Sequence, residues 1–232
     1  MKYGILDYEV IGTGTPVLII HGWGMGDSEH GDVRNSDDIL ELLHGFAVDV
    51  IKEPFIIAGQ SYGGLLTRGF VNKYPELIRK IILLVPCIIP GVRQGRVEPL
   101  IVVEKDDDLL SSLSQEEREN FSQMNVVLTR PVWERYKKYL MPALAAADWG
   151  FLNSVLEGSF SFDPDALDEP CMVPTLIIAA KRDTEVGYKD QFDLMKIYPN
   201  STYCAVENAG HNLQIEQPEI FEGIVKNWLL TH

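Results

Sequence analysis

The chain has 232 residues, of which 46% are hydrophobic and 23% charged, as is ordinary for a soluble globular protein. Its formal net charge of −14 argues against a nucleic-acid partner, because binding to a phosphate backbone needs a basic face. No apolar run reaches membrane-spanning length and MKYGILDYEV lacks the pattern of a secretory signal, so neither a membrane partner nor export is predicted.

The first part of the chain alternates predicted strands with predicted helices. The strands are expected at residues 4–11, 17–20, 55–58 and 80–85, and the helices from Ser36 to about Ile51 and at residues 65–74. The apolar runs at 17–20 and 55–58 are typical of strands buried on both faces of a parallel sheet. Gly12 and Gly14 could suggest a dinucleotide loop, but no third glycine opens a helix behind a strand, so that reading is set aside.

Strand signals disappear between Pro86 and Pro174, where the pattern predicts a helical insertion with helices near residues 106–113, 115–125, 132–140 and 149–156. Its aromatic residues could line a pocket or pack between the insertion and the core; they are Trp133, Tyr136, Tyr139, Trp149 and Phe151. Strands are predicted again at 175–180 and 202–206, and helices at 188–197 and 217–230. Strands that alternate with helices indicate an α/β fold with a doubly wound, mostly parallel sheet.

The strongest chemical signal is Gly59-Gln60-Ser61-Tyr62-Gly63, which lies between a predicted strand and a predicted helix. A serine in this context sits on a tight, strained turn, and the flanking glycines are needed because a Cβ there would clash. Ser61 is therefore the predicted nucleophile. The alternative is a glycine-rich connection with an incidental serine.

A serine hydroxyl needs an adjacent base and the base needs an acid, and both are predicted from chain order. His211 lies in a loop after the last predicted strand, where the order Ser, acid, His places the base. Asp183 follows the strand at 175–180, at the end where catalytic groups gather in open α/β sheets. Asp190 and Asp193 are alternative acids, but they fall in the following helix.

Acyl transfer also needs hydrogen-bond donors for the oxyanion. The predicted donors are the backbone N–H of Tyr62, directly after the nucleophile, and that of Trp23, in the loop after the strand at 17–20. The histidines show no HExxH or paired spacing, so no metal and no cofactor are predicted. The odd, widely spaced cysteines (Cys87, Cys171 and Cys204) are predicted to be reduced core residues, which suits the cytoplasm.

Four motifs in this order, HGWG, GQSYGG, AAKRDTEVG and ENAGHNLQ, resemble the α/β-hydrolase superfamily, in the branch with a helical cap. The chain is similar to small carboxylesterases and proline-iminopeptidase-like enzymes over nearly its whole length. The resemblance implies a core of residues 1–85 and 175–232 and a cap of residues 86–174. It also implies cofactor-free hydrolysis of an ester, thioester or amide of a small acyl substrate.

One departure from the family concerns residues 21–54, which separate the strand ending in His-Gly from the strand before Ser61. Family members run two crossovers here, whereas a βαβ unit takes roughly 30 or more residues, so only one crossover fits. Either the chain lacks one helix and one strand, or the sequence omits a stretch. The missing strand keeps open a non-catalytic ligand-binding or scaffold protein on the same fold, and a lyase or transferase using the same triad is a further alternative.

Overall fold

A parallel sheet of five strands forms the centre of the protein in the computed structural model, which describes residues 1–22, 33–91, 94–97 and 99–232. The strands are β1 (Lys2–Tyr3), β2 (Leu6–Asp7), β3 (Val17–Ile20), β4 (Phe55–Gln60), β5 (Ile78–Leu84), β6 (Glu104–Lys105), β7 (Val127–Leu128), β8 (Thr175–Ala180) and β9 (Ser201–Val206). The central sheet has the order β3-β4-β5-β8-β9, and every neighbouring pair in it is parallel. The predicted α/β class is confirmed.

Helices connect the strands of the central sheet and also make up much of residues 86–174, the segment that we call the cap. They are α1 (Ser36–Phe46), α2 (Tyr62–Lys73), α3 (Asp107–Ser112), α4 (Gln115–Met124), α5 (Arg130–Tyr139), α6 (Met141–Ala146), α7 (Trp149–Gly158), α8 (Lys189–Asp193), α9 (Leu213–Glu216) and α10 (Pro218–Thr231). A π-helical turn, Ala47–Ile51, extends α1. Among the described residues, no helix is both long and apolar enough to cross a membrane.

The sheet is covered by apolar side chains on both faces. On one face Phe55 and Ile57 of β4 pack with Phe70 of α2, and on the other Ile178 of β8 packs with Trp228 of α10. All six residues of β8 are buried, which explains why Leu176 to Ala180 appear in the sequence as a continuous apolar run.

Strand β3 pairs only with β4 among the described strands and so forms one edge of the sheet. Its side chains on one face are open to solvent, since Val17 is 46% exposed and Ile19 is 74% exposed. Between β3 and β4 the described residues form α1 and its π-helical extension and no strand, in agreement with a single crossover. The residues that would distinguish a true deletion from an omitted stretch lie mostly at 23–32, outside the described residues.

Two sequence expectations were wrong in detail. The predicted strand at residues 4–11 is instead the short antiparallel hairpin β1–β2, because Gly4 adopts a positive φ of 56° and turns the chain. The cap is not wholly helical, since β6 and β7 pair in parallel and tie its first extended segment to the end of α4. The cap also contains α6, which was not anticipated.

A buried arginine fixes both connections between the core and the cap. Arg68 of α2 is fully buried and its Nη1 donates to the carbonyl of Cys87, where the chain enters the cap, at 2.7 Å. Its Nε donates to Asp165 Oδ1, near the return to the core, at 2.7 Å. The helix that follows Ser61 therefore also anchors the segment that lies over it.

Candidate active site

Ser61 lies on a strained turn at the carboxyl end of the sheet. Strand β4 ends at Gln60, Ser61 has φ 54° and ψ −118°, and α2 begins at Tyr62. Such a backbone conformation costs an L-residue on the order of 1–3 kcal/mol. The carbonyl of Ser61 accepts hydrogen bonds from Gly64 N and Cys87 N, both at 2.9 Å, which hold the turn in place.

The glycines around Ser61 are required by close backbone approaches, as the motif predicted. A Cβ on Gly59 would lie 2.2 Å from the carbonyl oxygen of Gly63. A Cβ on Gly63 would lie 2.3 Å from the carbonyl oxygen of Ile20, at the end of β3. The turn can therefore form only where side chains are absent at both positions.

His211 and Asp183 form a buried hydrogen-bonded pair. His211 Nδ1 and Asp183 Oδ2 are 2.8 Å apart, and the two residues are 7% and 0% exposed. The second carboxylate oxygen, Oδ1, accepts hydrogen bonds from the backbone N–H groups of Glu185 at 2.8 Å and Val186 at 3.0 Å. The loop after β8 thus fixes the carboxylate, which in turn orients the imidazole.

The surroundings of His211 favour its protonated form. Burial alone would lower the pKa of His211, but the charge and hydrogen bond of Asp183 raise it, with further contributions from Glu185 and Glu216. The net effect is a pKa above the ordinary value of 6.5. An imidazole in this setting accepts a proton more readily than one in water.

Ser61, Tyr62 and His211 line one cavity, at the carboxyl ends of the strands. Among the described residues no hydrogen bond joins Ser61 Oγ to His211, a contact that often tightens only with substrate. Tyr62 is the first residue of α2, so its N–H belongs to the N-terminus of the helix. Trp23 lies outside the described residues, but a Cβ on neighbouring Gly22 would be 3.4 Å from Ser61 Cβ.

The cavity has a volume of about 710 Å³, within the usual range for small-molecule sites. Core and cap both line it. Of the cap aromatics singled out in the sequence, Tyr136 and Trp149 line the cavity. Trp133 instead packs edge-on against Phe121 inside the cap, with ring centroids 5.2 Å apart. The pocket alternative therefore holds for Tyr136 and Trp149, whereas this ring contact of Trp133 lies inside the cap and not between the cap and the core.

Sequence reasoning missed the carboxylates of this cavity, which are Glu116 and Glu117 at the start of α4 and Glu185 in the loop after Asp183. No pattern marked them, since acids at a helix start are also ordinary capping residues.

The alternative acids for the triad, Asp190 and Asp193, are engaged elsewhere. Asp190 pairs with Arg96, and Asp193 pairs with Lys196 at 2.7 Å. Within the described part of the chain, no group of three or more His, Cys, Asp or Glu is placed to hold a metal ion.

Comparisons with known proteins agree with this architecture. The family model described as serine aminopeptidase, S33, matches residues 9–218. A 2-hydroxy-6-oxo-6-(2'-aminophenyl)hexa-2,4-dienoic acid hydrolase of Metapseudomonas resinovorans is 23% identical, over 96% of this chain and 86% of that protein. An sn-1-specific diacylglycerol lipase of Mus musculus is 20% identical, over 94% of this chain and 72% of that protein.

Among solved structures, an alpha/beta superfamily hydrolase from Oenococcus oeni PSU-1 superposes with a TM-score of 0.83 at 23% identity, covering 94% of this chain and 93% of that one. At that identity the likeness establishes the fold alone, whereas the family model spans most of the sequence. The chain therefore belongs to the serine aminopeptidase S33 family of α/β hydrolases.

Proposed function

We propose that this protein is a serine hydrolase that cleaves an ester, thioester or amide of a small substrate through an acyl-enzyme on Ser61. The observation that carries the proposal is the buried Asp183–His211 pair, at 2.8 Å, whose histidine lines the same cavity as the strained Ser61. Nucleophile, base and orienting acid are the three parts that acyl transfer requires.

In the proposed reaction Ser61 Oγ attacks the substrate carbonyl carbon while His211 Nε2 takes the hydroxyl proton. Asp183 accepts a hydrogen bond from the Nδ1–H group of His211. This bond holds the proton on Nδ1 and leaves Nε2 without a hydrogen. The backbone N–H groups of Tyr62 and Trp23 are the proposed donors to the oxyanion. The imidazolium then protonates the leaving alcohol, thiol or amine, and a water activated by His211 releases the acid and regenerates Ser61.

The first test is covalent labelling with a fluorophosphonate, followed by peptide mapping. We expect one adduct, on Ser61, at a rate that is lost when the protein is unfolded beforehand. An adduct on a different serine, or none, would contradict the proposal and favour the ligand-binding alternative. Product analysis with the unlabelled enzyme separates hydrolysis from lyase or transferase chemistry, because only hydrolysis gives an acid and a leaving group in equal amounts.

A pH dependence follows from the position of His211. The base acts only when neutral, so kcat/KM falls as the pH drops through its pKa. Because that pKa is raised, the acid limb should have its midpoint above 6.5. The measurement is kcat/KM for a neutral aryl ester from about pH 5 to about pH 9. A midpoint at or below the ordinary histidine value would show that Asp183 does not act on the free enzyme's base.

The charge of the cavity predicts a substrate preference. Three carboxylates, from Glu116, Glu117 and Glu185, line it, and none of its described lining residues is Lys or Arg. Among these described lining residues, a substrate carboxylate would therefore meet like charges and no Lys or Arg. We infer that neutral or amine-bearing acyl groups are preferred, a class that includes the substrates of esterases and aminopeptidases, over the acid named for the Metapseudomonas relative.

The expected result is that the p-nitrophenyl ester of pentanoic acid has a kcat/KM about fivefold or more above that of the matched glutaric acid monoester, as about 1 kcal/mol of repulsion implies. High salt should reduce the ratio, because the cavity is open to water. Replacing Glu116 by Gln should also reduce the ratio of the two kcat/KM values. Equal values for the two esters at low salt would remove the electrostatic basis of the preference.

A further inference from the structure

Glu216 is a buried carboxylate that the proposed reaction does not use. It is only 4% exposed and lies at the end of α9, shortly after His211. Its Oε2 accepts hydrogen bonds from the backbone N–H of Val126 at 2.9 Å and of Val127 at 3.1 Å. Its Oε1 accepts from the N–H of Gly210 at 3.1 Å. One side chain thus joins the cap to the residue that precedes His211.

A second contact joins the cap to the residue that follows His211. Asn212 Nδ2 donates to Asn125 Oδ1 at 3.1 Å, and both side chains are buried. Asn125 is itself held at the end of α4, because its Nδ2 donates to the carbonyl of Phe121 at 2.7 Å. The chain on both sides of His211 is therefore linked to residues 125–127, which we call the cap junction: Gly210 through the side chain of Glu216, and Asn212 directly.

The loop that carries Gly210 lies so close to the end of α4 that a side chain at Gly210 is excluded. A Cβ there would lie 2.8 Å from the carbonyl oxygen of Met124 and 3.0 Å from Glu216 Oε1. The carboxylate is also costly for the fold, since burial raises the pKa of Glu216 to about 7 against the opposing effect of its N–H donors. A site built at such cost, around the backbone of one histidine, points to a role in placing that histidine.

We propose that the cap junction positions His211 for proton transfer, with Glu216 as the principal positioning residue and Asn125 as the second. The proposal rests on the proposed function in that His211 is the base. Asp183 sets the orientation of the imidazole ring, while Glu216 and Asn125 set the location of the backbone that carries it. The cap then acts on the chemistry as well as enclosing the cavity.

The principal test is Glu216→Gln, with Arg135→Met as the matched control. Glutamine has the same shape, but its NH₂ group would face N–H donors on one side, either at the cap junction or at Gly210. We expect kcat to fall about 10- to 100-fold, as for a displacement near 1 Å, with KM little changed because Glu216 does not line the cavity. Arg135 Nη1 donates to the carbonyl of Ile215 at 3.2 Å, so its loss breaks a neighbouring cap–core bond and should leave kcat unchanged.

The kcat per folded molecule, read together with the pH profile, separates positioning from general destabilisation. The charged groups that act on His211 are Asp183, Glu185 and Glu216, and Glu216→Gln removes only the last. The acid limb of kcat/KM should therefore move to lower pH in Glu216→Gln and stay in place in Arg135→Met. A purely structural role would lower Tm in both variants and leave kcat per folded molecule as in the wild type, because loss of the Glu216 charge by itself moves only the acid limb.

A second variant and a second readout keep the proposal falsifiable if Glu216→Gln fails to fold or the wild type shows no turnover. Asn125→Leu removes the acceptor for Asn212 and should also reduce kcat.

The proton between His211 Nδ1 and Asp183 gives a far-downfield NMR resonance, which needs no turnover. We expect this resonance to shift or broaden in Glu216→Gln or Asn125→Leu and to persist in Arg135→Met. An unchanged resonance and unchanged kcat in the variants that fold would overturn the proposal, whereas a wild type without Ser61-dependent turnover would overturn only the proposed function.

Discussion

Replacing Ser61 by Ala should reduce kcat for an activated aryl ester by about 10⁴-fold or more, because no acyl-enzyme can form without the hydroxyl. The remaining rate would come from binding and from the oxyanion donors, which the substitution leaves in place. Folding should be nearly unaffected. Alanine at this position adopts the same positive φ at a cost close to that of serine, and the hydroxyl makes no hydrogen bond to His211 that folding would lose.

The measurement is steady-state kinetics on protein whose Tm lies within about 2 °C of the wild type. Ser112→Ala is the matched control, since it removes a serine hydroxyl that bonds to the carbonyl of Leu109 in the cap, away from the cavity. That variant should keep the wild-type kcat. Retention of most activity in Ser61→Ala would place the nucleophile elsewhere, and loss of activity together with a large fall in Tm would indicate a damaged turn instead.

The sheet and the strained turn at Ser61 could be predicted from the sequence because both depend on short stretches of chain. A run such as β8, buried on both faces, is expected to be apolar, and it is from Leu176 to Ala180. The turn at Ser61 requires glycines at fixed offsets because their Cβ atoms would clash with backbone, and that requirement is visible in the residues themselves. Where a local steric rule decides the structure, the sequence alone is enough.

The strand pairing within the cap and the burial of Glu216 depended on contacts between distant segments. The pairing of β6 with β7 joins two-residue strands that carry no periodic signal of their own. In the sequence Glu216 stands two residues before Pro218, at the start of a helix, where acids are common. Its burial arises only when the cap junction folds against α9, and no spacing in the sequence reveals that contact. A lone acid beside the apolar Leu213 and Ile215 is the one trace of it.

The acid of the proposed triad was also open in the sequence, and geometry now favours Asp183 over Asp190. Asp183 is fully buried and bonds to His211, while Asp190 forms an ion pair with Arg96. The substitution that tests this assignment is Asp183→Asn, with Asp190→Asn as the matched control. Both change one oxygen to an amide nitrogen, so a difference between them reports position and not chemistry.

Asp183→Asn should reduce kcat about 10⁴-fold near neutral pH, because it favours the wrong tautomer of His211. Oδ1 of Asp183 accepts the N–H groups of Glu185 and Val186, so the remaining carbonyl oxygen of the amide should stay on that side. The NH₂ group then faces His211 Nδ1, which can only accept from it, and the imidazole proton moves to Nε2. An Nε2 that carries hydrogen cannot take the proton of Ser61. Loss of the carboxylate also removes the main contribution that raises the pKa of His211, so the acid limb of the residual activity should move to lower pH.

Asp190→Asn should keep kcat within about threefold of the wild type, since its partner Arg96 lies outside the residues that line the cavity. If Asp190→Asn lost activity and Asp183→Asn kept it, the orienting acid would have to be reassigned.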